Sequence, residues 1–90
     1  MDPEEDFREF VVARQRALLR TAWLLTDDWG KAEDLVQTAL VRSWPHWSRI
    51  AAAGTPEAYV RRVMVNKALD WRQRRWHGEV ATGEAARSPR

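Results

Sequence analysis

The sequence contains no cysteine and no long apolar run. The lack of cysteine excludes a disulfide scaffold, a thiolate metal site and a catalytic thiol. No stretch approaches the ~18–20 consecutive apolar residues that a membrane-spanning helix needs. The first residues, 1–6, are acidic rather than basic and do not resemble a signal peptide. These absences favour a cytoplasmic protein.

Motifs of common enzymes are also missing. There is no glycine-rich phosphate loop and no His-Glu-x-x-His pair. His46 and His77 lie far apart in the sequence, and the adjacent acids Glu33 and Asp34 would point about 100° apart on a helix. We therefore expect no enzymatic activity, no cofactor and no metal.

Helical periodicity dominates what is present. A chain of 90 residues forms one small domain, and its six tryptophans do not suit a disordered chain. No segment shows the sustained alternation of a strand. The sequence therefore predicts an all-α domain with three longer helices and one short helix, over about 3–25, 29–44, 46–50 and 56–76. Asp2 and Asp28 are predicted caps of the first two helices, and Thr55-Pro56-Glu57 is a typical helix start.

The first two helices each show an apolar face. That of the first helix contains Phe7, Phe10, Val11, Leu18, Ala22 and Leu25. That of the second contains Ala32, Leu35, Val36, Ala39, Leu40 and Ser43. Val41 and Trp44 lie on the opposite, polar side, which suggests a protein interface unless the third helix covers them.

The fourth helix is basic. Residues 57–77 hold six cationic side chains on a chain whose net charge is only +2, which indicates a local site for a polyanion. A polar row of cationic, amide and acidic side chains separates two apolar stripes, and this mixture suits phosphates and base edges: Arg62, Asn66, Asp70 and Gln73. Trp71 and Trp76 suit either stacking on unpaired bases or core packing.

Two segments carry a family resemblance. Residues 32–40 read AEDLVQTAL, followed by Arg42 and Trp44, and resemble the signature AEDLVQEAL of bacterial sigma-70-type factors. Residues 59–75 resemble the promoter-reading helix that follows it. The spacing of the two, together with residues 7–25, is most similar to the extracytoplasmic-function (ECF) subgroup of actinobacterial type. The resemblance covers about residues 7–76.

The resemblance implies a four-helix sigma domain 2 over residues 1–77, monomeric on its own and not bound to a membrane. Its partners would be core RNA polymerase, through the β′ clamp helices, and the non-template strand of the promoter −10 element, which it would read and help to melt. An anti-sigma protein is a further candidate partner. The implied polymerase contacts are Asp34, Leu35, Gln37, Thr38, Val41 and Arg42. The implied DNA contacts are Arg49, Ala52, Ala53, Gly54, Thr55, Arg61, Arg62, Asn66, Lys67, Asp70, Gln73, Arg74 and Arg75, with the segment 49–55 as the loop that receives a flipped base.

The sequence departs from the family pattern in three places. Thr38 stands where glutamate is usual, and Asp70 stands where asparagine is common, so it offers only acceptors. Residues 78–90 are expected to begin a disordered interdomain linker, and the family's domain 4 is absent, as in an excised or truncated factor. Two alternatives stay open at this point. Duplex binding without polymerase would favour a helix-turn-helix regulator, and a salt-insensitive partner without DNA binding would favour a helical interaction module.

Overall fold

The described structure is helical apart from its first residue and the short loops at residues 27–28 and 53–55. The computed structural model describes the backbone of residues 2–87 and the side chains of residues 2–74. In that part of the chain, α1 spans Pro3–Thr26, α2 Trp29–Ser43, α3 Trp47–Ala52 and α4 Pro56–Arg87. The predicted all-α class is confirmed. Among the described helices, none is both long enough and apolar enough to pass through a bilayer.

The turn between α1 and α2 is built by two aspartates. Asp27 adopts the left-handed conformation at φ 55°, and its N–H donates to the Trp23 carbonyl at 2.7 Å, which ends α1. Asp28 is extended, and its Oδ1 accepts from the Lys31 N–H at 3.0 Å, as predicted for a cap. The predicted side-chain cap by Asp2 is wrong. Its backbone carbonyl, rather than its carboxylate, accepts a hydrogen bond, from the Asp6 N–H at 2.9 Å.

The core lies where α1, α2 and α4 pack against one another. Its buried members come from all three helices and include four alanines, which let the helix backbones approach closely: Leu18, Ala22, Ala32, Leu35, Val36, Ala39, Val60, Met64 and Ala68. The predicted apolar faces of α1 and α2 are the faces that pack inward. Trp71 packs against this core, which favours core packing over base stacking for its ring. The side chain of Trp76 lies outside the described residues.

The segment between α2 and α4 differs from the prediction of one short helix over 46–50. A 3-10 turn, Trp44–His46, comes first, and α3 follows it. Pro45 has no N–H to donate to the α2 ladder, so the chain tightens into the 3-10 turn before a new helix begins. The sequence predicted four helices, whereas the described residues form four α-helices and this additional 3-10 turn.

The loop between α3 and α4 consists of Ala53, Gly54 and Thr55. It is shorter than the predicted loop over 49–55, because residues 49–52 are helical. The N–H groups of Ala53 and Gly54 donate to the carbonyls of Arg49 and Ala51 at 3.1 and 3.0 Å. Gly54 has φ +79°, and no atom lies within 4 Å of the position a Cβ would take. The loop is thus closed by its own backbone and open to solvent on its outer side.

Helix α4 is longer than predicted. It reaches Arg87, whereas the expected end was near Trp76. Residues 79–87 are rich in alanine and glutamate, which favour helix and let it continue past Gly78. The linker role of residues 78–90 stays a prediction, and residues 88–90 lie outside the described part.

Candidate nucleic-acid and polymerase interfaces

A cleft of about 520 Å³ opens between the end of α2, the 3-10 turn and α4. Its volume is in the range of small-ligand sites. Both helices and the turn contribute side chains to it, all polar or aromatic except Val63: Arg42, His46, Tyr59, Val63, Asn66, Lys67, Asp70 and Arg74. Four residues predicted to contact DNA, Asn66, Lys67, Asp70 and Arg74, therefore share one concave surface.

The charge of the cleft is positive. Arg42, Lys67 and Arg74 face a single acid, Asp70. Asp70 Oδ2 lies 3.2 Å from a guanidinium nitrogen of Arg74 and 3.7 Å from Lys67 Nζ. The Asp70 side chain is partly exposed, so these ion pairs are weak in water and can give way to a phosphate group. The cleft thus has excess positive charge, and two of its three cations are paired only weakly with Asp70.

Two aromatic rings border the same cleft. The rings of His46 and Tyr59 lie 6.4 Å apart between centroids. The exposed amide of Asn66 adds one donor group and one acceptor to the lining. Rings that stack on bases, an amide that pairs with base edges and cations that bind phosphates are the components of a site for single-stranded nucleic acid. Sequence reasoning missed His46 and Tyr59 as site residues. An aromatic residue close to Arg61 and Arg62 is the sequence pattern that could have identified Tyr59 as a site residue. No sequence pattern could have identified His46, because it reaches the cleft only through the packing of α2 on α4.

The other predicted DNA contacts whose side chains the structure describes do not line the cleft. Arg62 and Gln73 are exposed on α4, as are Arg49 on α3 and the four residues 52–55. Arg61 is paired with Glu57, at 2.7 Å between its guanidinium and Oε2. The side chain of Arg75 lies outside the described residues.

The outward face of α2 carries most of the predicted polymerase contacts. Asp34, Gln37 and Val41 are exposed, and Thr38 is half-buried. Leu35 is the exception, because its side chain is completely buried in the core. Its assignment as a surface contact is therefore wrong, since it faces α1 and α4 from the inner side of the helix. Arg42 is exposed but borders the cleft, so the structure groups it with the candidate DNA contacts.

An apolar groove adjoins this face. It lies between α1 and α2, has a volume of about 460 Å³ and is lined by Glu4, Phe7, Arg8, Val11, Leu40, Val41 and Trp44. Trp44 packs its ring on Phe7 at 5.1 Å, whereas Val41 remains 71% exposed. The third helix therefore does not cover Val41, and the exposed apolar surface fits the predicted protein interface.

Comparison with known families matches residues 10–78 to the family described as Sigma-70 region 2. The chain belongs to this sigma-70 family. It is 43% identical over 84 residues to the "RNA polymerase sigma-E factor" of Streptomyces coelicolor, which covers 93% of this chain and 48% of that protein. It is 47% identical over 77 residues to the protein of the same name from Streptomyces avermitilis, with 86% of this chain and 43% of that protein covered.

The region 2 chain spans less than half the length of these curated relatives. No solved structure matches it. The family resemblance stated from the sequence is confirmed, including its ECF type, with which the sigma-E relatives agree. Membership of the sigma-70 region 2 family favours a sigma factor over a helix-turn-helix regulator or a plain interaction module.

Proposed function

We propose that this domain acts within a sigma factor in the bacterial cytoplasm, where it recognises and helps to melt the promoter −10 element on core RNA polymerase. The single-stranded non-template DNA would lie along the cleft between α2 and α4. The outward face of α2 would dock on the β′ clamp helices. The family resemblance implies both roles, and the residues that each surface exposes support them.

The observation that carries the proposal is the composition of the cleft. Arg42, Lys67 and Arg74 are within reach of one ligand, and Asn66 and Tyr59 lie beside them. Duplex DNA hides the faces of its bases, whereas a separated strand offers them for stacking. A cleft that combines rings, an amide and cations therefore gains more from a single strand than from a duplex.

The two proposed surfaces adjoin each other on α2. Arg42 borders the DNA cleft, and its neighbour Val41 borders the apolar groove. A domain docked through Asp34, Gln37 and Val41 would therefore hold the cleft beside the polymerase that receives the melted strand. This proximity supports a function that requires both partners at once.

Fluorescence anisotropy tests the DNA half of the proposal. The domain is titrated into labelled −10 non-template single strand and into a duplex of the same sequence, at several salt concentrations. We expect tighter binding of the single strand, with a salt slope of about −0.7 for each neutralised phosphate. Equal affinity for the two DNAs would contradict melting.

In-vitro transcription tests the proposal as a whole. The domain is joined to a domain 4 from one of the sigma-E relatives and added to core polymerase with a promoter library. Specific initiation from a common −10 sequence is the expected result. Binding of duplex DNA in the absence of polymerase, without any initiation, would instead support a repressor-like regulator.

A further inference from the structure

Helix α1 contacts the chain on both sides of the Ala53–Thr55 loop. Before the loop, the indole N–H of Trp47 donates to Asp6 Oδ2 at 3.1 Å, across 41 positions of sequence. After the loop, Arg14 Nε lies 3.3 Å from Glu57 Oε1. Helix α3 and the loop therefore lie between two contacts with α1. We call these contacts the Asp6 anchor, to Trp47, and the Arg14 anchor, to Glu57.

The Asp6 anchor acts on a helix that is too short to be stable alone. Helix α3 has six residues, well below the length at which an isolated helix forms in water. Trp47 and Ile50 are its buried residues, and the Trp47 ring packs on Phe7 and Phe10 at 5.0 and 5.1 Å between ring centroids. The ring contacts hold the indole in place, and the directional bond to Asp6 sets its rotation.

The Arg14 anchor acts on the first turn of α4. Glu57 binds Arg14 through one carboxylate oxygen and Arg61 through the other, at 2.7 Å. Arg61 is one of the proposed DNA contacts. Glu57 therefore links the start of α4 to α1 and also limits where the Arg61 guanidinium can go.

We infer that Asp6 and Arg14 are positioning residues for DNA binding, an inference that rests on the proposed function. Neither side chain lines the cleft. Asp6 orients α3 and the loop through Trp47, and Arg14 orients Arg61 through Glu57. Helix α1 thus holds the Ala53–Thr55 loop, to which the family resemblance assigns DNA contacts, through α3 and the start of α4.

Paired variants of the full chain separate the hydrogen bond from the charge. Asp6→Ala removes the acceptor, whereas Asp6→Asn removes the charge but keeps an oxygen that accepts from Trp47. We expect Asp6→Ala to weaken binding of the −10 single strand about three- to tenfold, the worth of one hydrogen bond, and Asp6→Asn to stay close to the unmodified domain. Glu5→Ala, which removes an exposed acid one residue away, is the matched charge control and should not weaken binding.

The same bond is tested from its other end. Trp47→Phe keeps a packed ring but loses the N–H, so it should weaken DNA binding as Asp6→Ala does. The double variant should then show no further loss. Hydrogen exchange should be faster in both variants at the amides of Ala53 and Gly54.

Arg14→Ala tests the second anchor, with Arg8→Ala as its control. Both changes remove one exposed arginine from α1, but among the described side chains Arg8 pairs with Glu4 alone, at 3.8 Å. Arg14→Ala should weaken DNA binding severalfold and Arg8→Ala should not. Binding to core polymerase, which uses the outward face of α2, should be unchanged in Asp6→Ala and Arg14→Ala.

Two results would overturn the inference. One is unchanged DNA affinity in Asp6→Ala and Arg14→Ala while the unmodified domain binds the single strand. The other is a parallel loss of DNA binding, polymerase binding and melting temperature, which would reveal a merely structural role. Failure of the unmodified domain to prefer single-stranded DNA would instead contradict the proposed function itself.

Discussion

Asn66 differs chemically from its neighbours in the cleft. Lys67 and Arg74 offer only donors, and Asp70 offers only acceptors, whereas the amide of Asn66 offers both. An amide can therefore distinguish one base edge from another, while the cations bind any phosphate. We expect Asn66→Ala to cost about 1–3 kcal/mol of binding free energy on the preferred −10 single strand and less on a scrambled one.

Arg62→Ala is the comparison for this prediction. Arg62 is exposed on the same helix and carries charge without an acceptor, so its loss should weaken both DNAs about equally. Anisotropy titrations of both variants against both strands measure the difference. An equal loss on both strands for Asn66→Ala, together with a lower melting temperature, would show that Asn66 braces the fold.

Asp70 opposes DNA binding while it organises the cations around it. Its carboxylate pairs with both Lys67 and Arg74. Asp70→Asn should release these two cations for phosphates, strengthen binding of any single strand severalfold and steepen the salt slope by about 0.7 for each added phosphate contact. Anisotropy across a salt series checks this. Weaker binding would mean that the carboxylate itself contacts the DNA or that the cations need it for their orientation.

At the scale of the helix, the two faces of α2 have different roles, one in the core and one in the proposed polymerase interface. Its inner face supplies the core, and its outer face carries Asp34 and Gln37, whose side chains make no contribution to the core. Asp34→Ala and Gln37→Ala should therefore weaken binding to core polymerase and leave the helical circular dichroism unchanged. Gln73→Ala, an exposed glutamine on α4, is the matched control and should bind polymerase normally. Normal binding by both α2 variants would contradict the proposed interface.

At the scale of the whole molecule, stability depends on few buried side chains, and Leu35 is one of the largest that is fully buried. Leu35→Ala should lower the free energy of unfolding by about 2–5 kcal/mol. For a domain of this size the melting temperature should fall by about 10 °C or more. Leu35→Met should keep both stability and polymerase binding, because it nearly conserves volume. Thermal unfolding followed by circular dichroism measures both. Loss of polymerase binding in a stably folded Leu35→Met domain would restore Leu35 as a contact.

The sequence predicts a structural feature well when the residues that form it are close together in the chain, and poorly when they are far apart. The faces of α1 and α2 follow from helical periodicity, and the Asp28 cap follows from its neighbours alone. The burial of Leu35 follows from helical periodicity but not from the signature, because the signature mixes residues of both faces. The cleft is the least local feature, since His46 and Arg42 meet Asn66 only when α2 packs on α4. The bond between Asp6 and Trp47 likewise joins residues 41 positions apart.

Gly54 has a consequence for how such a domain changes over generations. Its left-handed backbone disfavours most side chains, but the space where a side chain would stand is empty. Asparagine tolerates this conformation better than other residues with a side chain, so Gly54→Asn strains the backbone only slightly, and its Cβ has open space around it. A new polar group would then stand at the proposed DNA-binding loop without disturbing a single core contact. If the domain has the proposed function, substitutions at position 54 can change which promoter sequence it prefers with little effect on the stability of the fold.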